Sequence, residues 1–88
     1  MALPVQRSTW PRRVVRNPHI LDGEPILEGT RVPVRIVVEA QRFVGPIDEI
    51  VQAYPMLDRR SVELALDFYR QNQTEIDRYI RENQDSLD

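Results

Sequence analysis

The chain has 88 residues, 41% of them hydrophobic, which is enough for one domain with a single modest core. It contains no cysteine, a lone histidine and three glycines, a composition that argues against thiol chemistry, a Cys- or His-rich metal site, a Ser–His–Asp triad and a glycine-rich phosphate loop. We therefore expect a non-enzymatic protein without a cofactor, and a cytoplasmic one, because no apolar run resembles a membrane span or a signal peptide.

The charges of the two halves differ. Residues 1–44 carry seven arginines and four acids, a net charge of +3, whereas residues 45–88 carry five arginines and ten acids, a net charge of −5. The first twenty residues contain no acid and four arginines: Arg7, Arg12, Arg13 and Arg16. This asymmetry fits two different partners, one of them polyanionic, and it also fits two solvated ends or ends that pair in a dimer.

Three regions are predicted along the chain. Residues 1–12 contain two prolines and no periodicity, so we expect a basic N-terminal arm that becomes ordered only when bound. Residues 13–71 are predicted to form the folded domain. Residues 72–88 are predicted to form an acidic C-terminal helix and tail.

A β-hairpin is predicted near the start of the domain. Asp22 and Gly23 separate two apolar triplets, residues 19–21 and 25–27. An Asp-Gly pair is a strong hairpin signal because both turn positions need a positive φ. Residues 14–15 are predicted to form a separate brief strand.

The first two of four predicted helices have clear boundaries. The first covers Val34–Val44 between Pro33 and Gly45, and the second opens at Pro46 and stops at Pro55. Clustered β-branched residues leave a strand as the alternative at the start of the first helix. The predicted apolar faces are Ile36, Val37, Ala40, Phe43 and Val44 in the first helix, and Ile47, Ile50, Val51 and Tyr54 in the second.

The last two helices are predicted from capping signals. Asp58 caps a third helix that runs to Gln71, and Leu57 and Val62 form a hydrophobic staple at its start. Thr74 caps a short fourth helix, and the last six residues fray.

The short connection at residues 55–57 favours a helix–turn–helix, with the third helix as the DNA reader. Guanidinium groups in its first turn can pair with guanine edges or bind phosphate. Two surface arginines after a cap are the alternative interpretation, and acids further along the same face would repel phosphate. The predicted DNA contacts are Arg7, Arg12, Arg13, Arg16, Arg59, Arg60 and Ser61.

The apolar side chains of the third helix cover an arc of roughly 200° around its axis, which is wider than the ~100° apolar stripe of an ordinary surface helix. The excess lies on the side of Leu64 and Phe68, which must meet the hairpin, the last helix or another chain. Core packing and a homodimer interface both explain it, so Leu64 and Phe68 are candidate dimer contacts.

The fourth helix is a candidate docking element. Its apolar residues could fill a groove in a partner: Ile76, Tyr79, Ile80 and Leu87. The alternative is an amphipathic helix folded back onto its own core. Asp77 and Arg81, four residues apart, are expected to pair along the helix.

A family resemblance rests on residues 23–34, which read Gly-Glu-Pro-Ile-Leu-Glu-Gly-Thr-Arg-Val-Pro-Val, and on Ile-Asp-Glu-Ile-Val and Tyr-Pro within residues 47–55. Over residues 13–71 the chain resembles a widespread prokaryotic family of small helix–turn–helix proteins. That family was first described as a domain of unknown function and is often classed as VapB-like antitoxins. The resemblance implies a homeodomain-like fold and a partner toxin, commonly a PIN-like ribonuclease. The longer arm and the tail depart from the family pattern.

Three residues of this motif have physical roles that can be predicted. Gly29 permits a backbone conformation closed to other residues, and Thr30 can bond locally as the chain leaves the hairpin. Arg31 either bonds carbonyls or an acid between strand and helix, the favoured role, or faces DNA phosphate.

The sequence therefore predicts a mainly α fold with a short N-terminal β-hairpin, a three-helix homeodomain-like helix–turn–helix bundle and a short C-terminal helix. The leading hypothesis is a dimeric antitoxin of a type II toxin–antitoxin pair that binds operator DNA and a PIN-like ribonuclease toxin. Such a toxin holds a divalent metal in a cluster of carboxylates. Arginines of the tail or the arm could enter this cluster and compete with the metal. The predicted toxin contacts are Ile76, Arg78, Tyr79, Ile80, Arg81 and Leu87. The alternatives are a repressor without a toxin and a protein-only adaptor.

Overall fold

The computed structural model describes residues 13–85, in which a two-stranded hairpin precedes four helices. The elements are β1 (Val14–Val15), β2 (Ile26–Leu27), α1 (Val34–Val44), α2 (Ile47–Ala53), α3 (Arg59–Gln71) and α4 (Gln73–Asp85). Helix α1 packs against the other three helices, and α2 packs against α3. Within residues 13–85 the helices are all too short or too polar to cross a bilayer.

The hairpin has a different pairing from the predicted one. Val14 lies opposite Leu27 and Val15 opposite Ile26 in an antiparallel pair. The predicted strand over residues 19–21 is wrong, because Leu21–Gly23 forms a 3-10 turn inside the long connection between the strands. Strand β2 instead pairs with β1, which is formed by the β-branched residues Val14 and Val15.

The backbone chemistry of that connection agrees with the Asp-Gly signal. Asp22 and Gly23 have φ angles of 55° and 86°, and Leu21 also has a positive φ of 51°. A leucine is strained in this left-handed region, whereas aspartate and glycine enter it more readily. The turn residues were thus predicted correctly, although they do not directly join two strands.

The motif after β2 folds the chain back toward α1. Gly29 has a φ of 80°, and the Thr30 hydroxyl donates to the Leu27 carbonyl at 2.7 Å while accepting from the Val32 N–H at 3.0 Å. The predicted local roles of Gly29 and Thr30 are therefore confirmed. Arg31 is exposed and has no hydrogen bond or ion pair with the rest of residues 13–85, so its favoured bonding role is wrong.

Helix α1 has the predicted bounds but a rotated apolar face. Val34, Val37, Val38 and Ala40 are its buried residues, whereas Phe43 is 81% exposed. At about 100° per residue, the nine positions from Val34 to Phe43 place the two side chains on opposite sides of the helix. The prediction that Phe43 belongs to the core face is therefore wrong.

Helices α2 and α3 follow the prediction closely. Ile50 is buried, and Asp58 caps α3 by accepting a hydrogen bond from the Ser61 N–H at 2.8 Å. Leu57 and Val62, the predicted staple, are both buried in the core. Helix α3 ends at Gln71 as expected.

Helix α4 is longer than predicted. It has 13 residues, and Thr74 lies inside its first turn and does not cap it. Asn72 alone separates α3 from α4: its Nδ2 donates to the Phe68 carbonyl at 3.0 Å, and its own carbonyl accepts from the Ile76 N–H at 3.1 Å. One residue therefore ends α3 and starts α4.

The core draws on β2 and on all four helices. Ile76 is fully buried and Ile80 is 3% exposed, so α4 folds back onto its own chain. The expectation that these two side chains anchor a toxin is wrong, because both already fill the core. Leu87 and the arm over residues 1–12 lie outside the described residues.

Candidate nucleic-acid interface

The start of α3 is built around the cap of Asp58. Its Oδ1 accepts hydrogen bonds from the Ser61 N–H at 2.8 Å and the Ser61 hydroxyl at 2.7 Å. These bonds stabilise the carboxylate and lower the pKa of Asp58. Ser61 is only 3% exposed, so its predicted contact with DNA is wrong and its role is to close the cap.

The two arginines that follow the cap are at the surface. Arg59 is exposed and its guanidinium donates to the Asp48 carboxylate of α2. Arg60 is also exposed, and it has no hydrogen bond or ion pair with any other residue of 13–85. The first turn of α3 therefore offers one guanidinium held by α2 and a second one that is free in the described part of the chain.

The rest of the outer face of α3 is unsuited to a polyanion. Glu63 and Asp67 are exposed, and Asp67 accepts from Arg70 at 2.9 Å. Met56, beside the start of the helix, is 65% exposed. Beyond its first turn, the outer face of α3 therefore combines exposed carboxylates with one exposed arginine, Arg70, which is paired with Asp67.

Two further arginines predicted to bind DNA are engaged in ion pairs. The Nε of Arg13 lies 3.3 Å from Glu28, and the Arg16 guanidinium binds both carboxylate oxygens of Glu75 at 2.5 and 3.0 Å. The latter contact raises the pKa of Arg16 and lowers that of Glu75. In this conformation Arg16 therefore joins the end of β1 to α4 and does not offer a free guanidinium to DNA. The two predicted DNA contacts within the arm, Arg7 and Arg12, lie outside the described residues.

The side of α3 proposed for dimerisation is half-buried. Leu64 and Phe68 pack against the core, and the Arg16 guanidinium lies 5.7 Å from the centre of the Phe68 ring. Strand β1 contacts the same helix. The hairpin thus covers part of the apolar surface of α3 around Leu64 and Phe68. A dimer contact at these two residues stays a prediction.

On α4, the arginines rather than the isoleucines reach the surface. Arg78 lies 5.1 Å from the centre of the Tyr79 ring and 3.8 Å from Glu82, and Arg81 is exposed without an ion pair among residues 13–85. Tyr79 is half-buried, and its hydroxyl donates to Glu75 at 3.2 Å. Of the predicted toxin contacts that lie within residues 13–85, Arg78 and Arg81 are the exposed ones.

Asp77 has other partners than the predicted Arg81. Its Oδ1 accepts from the Tyr69 hydroxyl at 2.8 Å and from Arg42 at 3.1 Å. Arg42 also donates to the Tyr69 hydroxyl at 3.0 Å. This three-residue network links α1, α3 and α4, and sequence spacing could not reveal it because its members come from three helices.

A buried ion pair and a cleft were also missed. The Nε of Arg35 lies 2.7 Å from Glu24 Oε2, with the side chains 12% and 6% exposed, and burial raises the pKa of Glu24 against the opposing effect of Arg35. The pair borders a cleft of about 310 Å³. No group of three or more His, Asp or Glu side chains in residues 13–85 is arranged to hold a metal ion.

Residues 14–69 match the model of a family described as "Protein of unknown function (DUF433)". The chain belongs to the DUF433 family. A crystal structure of another DUF433 member, from Anabaena variabilis ATCC 29413, superposes with a TM-score of 0.69 at 29% identity, covering 77% of this chain and 67% of that one. The DUF433 chain described here therefore shares its fold with that solved member.

A curated relative of this DUF433 protein is the uncharacterised protein y4eO of Sinorhizobium fredii (strain NBRC 101917 / NGR234). It is 36% identical over 52 residues, which is 59% of this chain and 24% of the relative. The chain thus spans about a quarter of the length of that relative.

Proposed function

We propose that this protein is the antitoxin of a type II toxin–antitoxin pair and that it binds operator DNA through the start of α3. The observation that carries the DNA-binding part is the exposure of Arg59 and Arg60 immediately after the Asp58 cap, on a helix that follows α2 across a short corner. Helix α1 packs on both α2 and α3, as the first helix of a helix–turn–helix would.

The charge pattern of α3 favours a DNA contact by its first turn only. Arg60 is free to bind a phosphate or a guanine edge, and Arg59 can exchange its exposed contact with Asp48 for a DNA contact at small cost. Glu63 and Asp67 keep the later turns of α3 away from the phosphate backbone. DNA would therefore be contacted at the N-terminal end of the reader helix.

The toxin-binding part rests on the family resemblance and on α4. A PIN-like ribonuclease holds its divalent metal in a carboxylate cluster, and an arginine that enters this cluster competes with the metal for the same negative charge. Arg81 is the best placed for this role, because it is exposed and has no ion pair with the rest of residues 13–85. Arg78, which packs on Tyr79, is second.

The DNA-binding proposal is tested by fluorescence anisotropy with the DNA upstream of the gene, titrated at several salt concentrations. Each phosphate contact contributes about 0.9 to the slope of log K against log salt. The double variant R59A/R60A is expected to lower this slope by about 2. The matched control is R70A, which removes an exposed arginine from the far end of the same helix and is expected to keep the wild-type slope. An unchanged slope in R59A/R60A would refute this interface, and a flat slope in the wild type would favour the protein-only adaptor.

The toxin-binding proposal is tested by co-expression with the product of the neighbouring gene. The wild type should relieve growth inhibition by that product, and R78A/R81A should relieve it less, while R70A serves again as the control. If R78A/R81A neutralises the product as well as the wild type does, α4 is not the toxin-binding element. If the wild type gives no relief and binds DNA, the alternative of a repressor without a toxin is correct.

A further inference from the structure

The two arginines at the start of α3 differ in what they contact. The Arg59 guanidinium donates through Nη2 to Oδ1 of Asp48, which lies in the first turn of α2. Arg60, the next residue, has no hydrogen bond or ion pair with any other residue of 13–85. Of the two cations that the proposed DNA contact uses, one is therefore already paired with an anion of its own chain.

The contact between Arg59 and Asp48 lies at the surface. The side chain of Arg59 is 55% exposed and that of Asp48 is 77% exposed. An ion pair so open to solvent adds little to the stability of a fold and exchanges readily for another partner. The packing of α2 against α3 rests instead on buried apolar side chains, among them Ile50, Leu57 and Val62. The pair is therefore not required to hold the two helices together.

The carboxylate of Asp48 offers Arg59 the same kind of partner as a DNA phosphate does. Both groups present anionic oxygens to the planar set of donors of a guanidinium. DNA must displace this carboxylate before Arg59 can reach a phosphate or a guanine edge, whereas Arg60 needs no such release. The displaced carboxylate then lies close to a polyanion of the same sign, which repels it. Both effects weaken the binding of DNA.

We propose that Asp48 is an autoinhibitory residue, which occupies Arg59 in the free protein and thereby lowers the affinity of the protein for DNA. This inference rests on the proposed function of the start of α3. It adds that α2 helps to set the affinity of that interface, because a carboxylate of α2 competes with the phosphates of DNA for one guanidinium.

Fluorescence anisotropy with the full chain and the DNA upstream of the gene tests this competition. Asp48→Asn removes the charge of the competing carboxylate and should tighten binding about threefold, as the small energy of an exposed ion pair implies. The matched control is Glu49→Gln, which removes the neighbouring exposed carboxylate from the same helical turn. Glu49 has no ion pair within residues 13–85, so its replacement should tighten binding clearly less.

The same two substitutions in an Arg59→Ala background separate competition for Arg59 from simple repulsion of DNA. Without the guanidinium, Asp48→Asn should tighten binding no more than Glu49→Gln does. An equal gain from Asp48→Asn with and without Arg59 would overturn the proposal. Weaker binding by Asp48→Asn would overturn it too, because Asp48 would then position Arg59 for DNA.

Failure of this inference and failure of the proposed function give different results. If R59A/R60A lowers the salt slope while Asp48→Asn only matches Glu49→Gln, the autoinhibitory role of Asp48 is refuted and the α3 interface stands. If the wild type does not bind the DNA at all, both are refuted.

Discussion

Replacing Ile76 by alanine is expected to destabilise the whole domain, because this side chain of α4 is fully buried in the shared core. The change removes three carbons, worth about 2.4 kcal/mol at roughly 0.8 kcal/mol per buried methylene. The cavity left behind adds to this, and Ile→Ala changes in cores cost about 2–5 kcal/mol, so we expect about 3 kcal/mol. For a domain of this size that corresponds to a fall in Tm of roughly 12–24 °C.

The assay is urea unfolding followed by circular dichroism, with the free energy of unfolding extrapolated to water. Met56→Ala is the control, because Met56 is 65% exposed and its truncation should change the free energy by no more than about 0.5 kcal/mol. A loss below about 1 kcal/mol for Ile76→Ala would refute the assignment of α4 to the core. Ile76 would then be available to a partner, as the sequence first indicated.

Two other predictions concern charged groups. Asp58→Ala removes the cap of α3 with its two hydrogen bonds and should cost about 1 kcal/mol in the same urea assay; no change would mean that the cap is dispensable. Glu75 has a pKa lowered by Arg16, so its contribution to stability is present above its unfolded-state pKa and is lost as the pH falls through the folded-state value. As the pH falls from 5 to about 3, the free energy of unfolding of Glu75→Gln should therefore decrease less than that of the wild type. The difference should be at most about 1 kcal/mol, because the Arg16–Glu75 pair is partly exposed. Glu63→Gln is the control for the general effect of losing a carboxylate, and identical pH profiles for Glu75→Gln and the wild type would contradict the role of this pair.

The helix boundaries could be predicted because their signals are local. Gly45 and Pro46 separate α1 from α2, and Asp58 marks the start of α3 through its side chain. The left-handed turn at Asp22 and Gly23 was predicted for the same reason. In each case the residues that determine the backbone are neighbours in the chain.

The pairings and the candidate sites depend on distant residues and were harder to predict. Arg16 and Glu75 are 59 positions apart, so no spacing rule relates them. Burial of Ser61 follows from the packing of α3, and the exposure of Phe43 from the rotation of α1 about its axis. The exposure of Arg59 and Arg60 was predicted, since they directly follow a cap on a helix that begins at the surface.

Only one residue, Asn72, connects α3 to α4, so the connection cannot absorb a change in length. Because Asn72 bonds to the last turn of α3 and accepts from the first turn of α4, one inserted residue would turn all of α4 by about 100°. Ile76 and Ile80 would then leave the core together, and the contact between Arg16 and Glu75 would break with them. A change of length is therefore tolerated far less at this joint than in the long connection between β1 and β2. The one-residue joint also fixes where the α4 residues that border the cleft, and the exposed arginines of α4, lie relative to the rest of the molecule.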